Sequence, residues 1–178
     1  MSGLVSFVIP ADFVSSRVTL THEELVCGYR KGWLTPMAVA ELVEGSSLAL
    51  SGLPAEDELS CLLPSEIAER VTAAVEAEDV DCQDPEPNKV WAYLALARLH
   101  ERRDTVSGFF QVIEMIWSDH EYPQEMSGFI YYMPPPPGGE YGEPAMLGRL
   151  EAYLFEQAQH YRTRGGPQPE RDRPPLDR

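Results

Sequence analysis

Apolar residues recur along this chain every three or four positions, the spacing of one helix face, and capping residues stand between the runs. In THEELVCGYRKG, Thr21 with Glu24 three residues later forms a capping box, Lys31 suits the last turn, and Gly32 is the residue expected just past the end. WLTPMAVAELVEG repeats the logic, with Thr35 as N-cap, Pro36 at the first helical position and Gly45 beyond the end. Residues 66–76 place Ile67, Val71, Ala74 and Val75 on one helical face. The segment 89–103 begins VWAYLALA, apolar on nearly every side, as a central buried helix would be. Residues 104–118 carry a broad apolar stripe through Phe109, Phe110, Ile113 and Trp117. A further helix is expected from Pro123, with Met126, Phe129, Ile130 and Met133 on one face, stopped by Pro134. Residues 145–161 give a last helix with Met146, Leu150 and Leu154 inward.

Between these runs the pattern weakens. GLVSFVIP reads as a short strand, FVSSRVTL as a strand or the approach to a helix, and residues 46–64 as an irregular connector. The expectation is a mainly α fold: a single-domain bundle of about seven helices over residues 1–162, with room for a short extended N-terminal piece. A disordered Pro- and Arg-rich tail is expected over 163–178.

Composition fits one folded core: 178 residues, 43% hydrophobic and 10% aromatic. No stretch is long and apolar enough to cross a membrane, and MSGLVSFVIPADF lacks the charged start and apolar core of a signal peptide. A cytoplasmic location follows as an expectation. Cys27, Cys61 and Cys82 are odd in number and widely spaced, which suggests buried thiols rather than a disulfide frame.

Charge changes the picture more. The formal net charge is −15, and between Pro54 and Asn88 eleven acids face only Arg70. Such a field repels nucleic acid and attracts basic proteins. The helix pair at 21–45 has helix-turn-helix spacing, but its second helix carries Glu41 and Glu44 and no cation, which excludes a DNA reader. DVDCQD resembles the start of a calcium loop, yet its sixth and twelfth positions are Asp84 and Val90, where Gly and Glu are needed. His22, His100, His120 and His160 match no metal spacing, and no nucleophile elbow or phosphate-binding glycine loop occurs. No cofactor is expected.

Three stretches, LTHEELVCGYRKGWLTPMAVAELV, VWAYLALARLHERRD and VIEMIWSDHEYPQEMSGFIYYMPP, together resemble a family of small, acidic hypothetical bacterial proteins, a domain of unknown function. The resemblance implies a helical bacterial cytoplasmic protein and supplies no catalytic residue. In size and charge such proteins are similar to immunity proteins, which neutralise a cognate bacterial toxin by covering it.

The leading expectation is therefore a non-enzymatic, acidic protein-binding module, with a basic toxin domain as its partner. Contacts are expected from the acids Glu76, Glu78, Asp79, Asp81 and Asp84 and from the adjacent Tyr131 and Tyr132. The alternative is a metal-dependent hydrolase using Asp119, His120 and Glu121.

Overall fold

A computed structural model describes residues 7–46, 48–54, 56–59 and 61–164. They form a single compact helical domain. The α-helices are α1 (Ala11–Ser15), α2 (His22–Arg30), α3 (Pro36–Glu44), α4 (Glu56–Leu59), α5 (Pro64–Ala77), α6 (Glu86–Glu101), α7 (Phe109–Asp119) and α8 (Glu143–Arg164). Short 3₁₀ turns cover Arg103–Thr105 and Gln124–Phe129, and no strand occurs among the described residues.

Helix α6 is the axis of the fold. Val90 through Leu96 and Leu99 are all buried, and α2, α7 and α8 pack against it. On the other side α3 lies on α5 and carries α1. α2 and α6 approach closely where Gly28 leaves room for the Trp91 indole; a Cβ there would lie 2.1 Å from the ring. The indole N–H donates to the Glu24 carbonyl at 2.9 Å, so this large ring is buried without an orphaned donor.

The capping logic of α2 holds at both ends. Thr21 Oγ1 accepts from the Glu24 N–H at 3.3 Å, and the Glu24 carboxylate accepts from the Thr21 N–H at 2.8 Å. At the far end Gly32 takes φ 81, while the Gly32 and Trp33 amides close on the Tyr29 and Gly28 carbonyls. Glu24 does more than cap. Its buried carboxylate also receives both terminal nitrogens of Arg164 at 2.8 and 2.6 Å, tying the end of α8 to the start of α2.

Five expectations are corrected. The N-terminal region contains α1 rather than a strand; of GLVSFVIP, residues 3–6 lie outside the described residues and Phe7–Pro10 are irregular. The connector contains α4. The helix expected from Pro123 is only a 3₁₀ turn: Ser127 and Gly128 are poor helix formers, and Arg149 Nε donates to the Gly128 carbonyl that an α-helix would use for Tyr132. Finally, Cys27 and Cys82, 55 residues apart, form a disulfide, because the end of the acidic loop folds back onto α2. Sequence spacing cannot show that return. Thr163 and Arg164, expected in the tail, form the last turn of α8, and the rest of the tail lies outside the described residues.

Candidate binding site

The end of α7 builds the site. After Asp119 the chain closes as a Schellman motif: the Glu121 amide donates to the Ser118 carbonyl at 3.2 Å and the Tyr122 amide to the Trp117 carbonyl at 2.9 Å. The left-handed position, normally glycine, is Glu121 at φ 62, and Tyr122 follows at φ 61. Two side-chain-bearing residues in this region cost about 1–2 kcal/mol each. The turn is held because Trp117 packs edge-on against Tyr122, ring centroids 4.9 Å apart, and donates its indole N–H to the Pro123 carbonyl at 3.0 Å.

This turn swings His120 inward. Its ring stacks on Trp33 with centroids 4.6 Å apart, and Trp33 in turn lies against Trp91. Burial, aided by the nearby Lys31 charge, pushes the imidazole down to about 4, so it is neutral at physiological pH. Its Nδ1 is shut off from solvent and has no hydrogen-bond partner. Across from it, Asn88 at the start of α6 donates from Nδ2 to the Cys82 and Asp84 carbonyls, leaving a buried Oδ1 that is also unpartnered. Both residues line a cavity of about 310 Å³ between α6 and the 119–125 turn. Lys31, Lys89, Asp119, Glu121 and Glu125 supply its charges, and Tyr153 of α8 lies in its wall.

The acids expected to meet a partner divide. Glu76, Asp79, Asp81 and Asp84 are exposed. Asp81 and Asp84 cap their own loop, accepting from the Gln83 and Glu86 amides at 2.9 and 3.0 Å. Glu78 is turned inward, accepting from the Ser51 amide at 2.9 Å and pairing with His22 at 3.0 Å. The Ser51 hydrogen bond, with His22, holds its carboxyl below the usual range. Arg30 clamps the same loop from α2 by donating to the Val75, Glu78 and Val80 carbonyls. The loop is therefore a fixed acidic surface, and its last residue Pro85, with Asn88 and Lys89 of α6, lines the His120 cavity.

Tyr131 and Tyr132 are exposed, at 66% and 64%. With Phe109, Phe110, Gln111 and Glu114 of α7 they line a shallow groove of about 570 Å³, closed by Glu143. Tyr132 also meets Trp117 edge-on at 5.9 Å. Trp117 thus links this groove to Tyr122, and one aromatic surface runs from Phe109 to the cavity turn. The half-exposed Phe109 and Phe110 were hidden in the sequence, because their stripe reads as wholly inward, and Tyr122 reads only as the junction before Pro123. Asp119, His120 and Glu121 do share the cavity, but no group of three or more His, Cys, Asp or Glu side chains among the described residues could hold a metal ion. Among those residues no helix is long and apolar enough to cross a membrane.

A bacterial family described as an uncharacterized protein conserved in bacteria (DUF2247) matches residues 11–158 of the 178, and the chain belongs to it. No curated protein and no solved structure matches.

Proposed function

We propose that this member of the DUF2247 family is a non-enzymatic binding protein that docks a basic protein partner on its aromatic surface. The observation that carries the reading is the exposed Tyr131, Tyr132 and Tyr122 with the half-buried Phe109 and Phe110, arranged around Trp117 in a chain of net charge −15. Aromatic side chains bury large areas at little entropic cost and dominate binding hot spots. Glu114, Glu121 and Glu143 sit beside them, so the surface offers apolar anchors within a negative field. Such a field speeds encounter with a basic partner and discriminates against acidic ones.

Size, charge and bacterial family membership make neutralisation of a toxin the role that fits best, with the basic face of the toxin covered by this surface. Asp79, Asp81 and Asp84 on their fixed loop add long-range attraction. Glu78 contributes little to it, because its carboxylate is engaged within the fold.

Co-purification from a bacterium carrying the protein tests this. A basic protein should be retained near one-to-one by the wild type and lost from a Tyr131→Ala/Tyr132→Ala variant. Equal retention by both, or an acidic partner, would remove the proposal.

A further inference from the structure

We propose that the cavity beside His120 is a socket for a guanidinium group on a short alkyl chain, delivered as an arginine side chain of the basic partner. The identity of the partner rests on the binding reading above; the chemistry of the socket does not.

The volume, about 310 Å³, is at the lower end of the ligand-pocket range and suits one long side chain better than a large cofactor. The orientation of Asn88 is fixed, because its Nδ2 already serves the Cys82 and Asp84 carbonyls; the orphaned atom is therefore an acceptor waiting for a donor. An unpaired buried polar atom costs about 1–3 kcal/mol, and folded proteins leave few of them. Here two, Asn88 Oδ1 and His120 Nδ1, belong to residues on the wall of one cavity. A small rotation of the His120 ring would present its Nδ1 to an occupant, while Asn88 keeps its orientation.

Charge selects a cation. The carboxylates of Asp119, Glu121 and Glu125 carry no hydrogen bond or salt bridge among the described residues. Of the two lysines in the wall, Lys89 is paired with Glu86. The three carboxylates are opposed by Lys31 and by a Lys89 whose charge is shared between Glu86 and Glu125. The acceptors come from two elements, Asn88 from α6 and the others from the end of α7 and the turn after it, and several acceptors suit a planar five-donor guanidinium better than a compact ammonium. Trp33, Pro85, Ala92 and Pro123 provide apolar wall for the methylenes, and the neutral imidazole adds a flat face without repulsion.

The test titrates agmatine into the full chain and follows the amide and indole resonances of Trp33 and the amide of Ala92 by NMR. Saturable shifts are expected in about the millimolar range. Butylurea, a neutral analogue, should bind at least about tenfold more weakly, as should agmatine with Glu121→Gln/Glu125→Gln. Lys31→Ala, an exposed change, should tighten agmatine a few-fold by removing the opposing charge. Tyr131→Ala/Tyr132→Ala should leave agmatine binding unchanged while partner retention is lost, so the two proposals fail separately. No saturable shift at Trp33 and Ala92, equal binding of butylurea, or weakening by Lys31→Ala would overturn the socket. N-acetyl-arginine amide binding as well as agmatine supports a protein side chain. Free arginine binding about tenfold tighter than both, through Lys31, would instead make the occupant a free amino acid and overturn the partner's arginine.

Discussion

At Gly28 a single missing Cβ sets how closely two helices approach. Alanine is the better helix former, by about 1 kcal/mol, so helix propensity alone predicts that Gly28→Ala stabilises α2. The Trp91 indole predicts the opposite, since the new methyl would lie 2.1 Å from it and a buried ring has no free space to yield. We expect a net loss of about 2 kcal/mol or more, seen as a lower urea midpoint; an unchanged midpoint would show that the helices can separate cheaply. His120 makes a pH-dependent prediction. Folding lowers its pKa from 6.5 to about 4, so between those values the unfolded chain takes up a proton that the folded chain refuses. Stability falls as pH drops through that window, by at most about 3 kcal/mol from this group. His120→Phe, which keeps the ring against Trp33, should lose that part of the acid sensitivity. Urea unfolding of both proteins at pH 7 and pH 4.5 checks it: the variant's advantage should grow at the lower pH, and a constant difference would contradict the assignment.

At the level of elements, the acidic loop after α5 is held by two ties to α2. Arg30 satisfies two of its carbonyls, Glu78 and Val80, with that of Val75 at the end of α5, and the Cys27–Cys82 bond closes a long covalent ring. Cross-linking such a ring removes freedom from the unfolded chain worth about 2–4 kcal/mol. Cys27→Ser/Cys82→Ser should lower the melting temperature accordingly and speed amide exchange from Asp79 to Glu86, with α6 remaining protected. Equal melting temperatures would show that Arg30 alone fixes the loop. Most helices were legible in the sequence because local chemistry decides them: Thr21 with Glu24, Thr35 with Pro36, and the all-round apolar start of α6. The misses are tertiary. Nothing near Gly128 announces that Arg149 will take its carbonyl, and nothing near Cys82 announces the return to α2. The site was half legible for the same reason. Tyr131 and Tyr132 stand out locally, whereas the cavity requires Asn88 and His120, residues 32 positions apart that only the packing of α6 beside the α7 terminus brings together.

For the whole molecule, charge and shape act at different ranges. In the proposed complex the net charge of −15 would act over about a Debye length and set how fast a basic partner arrives, whereas the aromatic surface from Phe109 to Tyr122 would act only on contact and set how long it stays. Removing charge and removing rings should therefore leave different kinetic signatures. Neutralising Asp79, Asp81 and Asp84 should slow association and flatten its salt dependence, with dissociation little changed. The most direct measurement is surface plasmon resonance on the co-purified partner, comparing wild type with Tyr131→Ala/Tyr132→Ala. Dissociation should be at least about tenfold faster in the tyrosine variant, with association and its salt slope preserved. Identical dissociation rates in the two proteins would contradict the placing of the contact surface on these tyrosines.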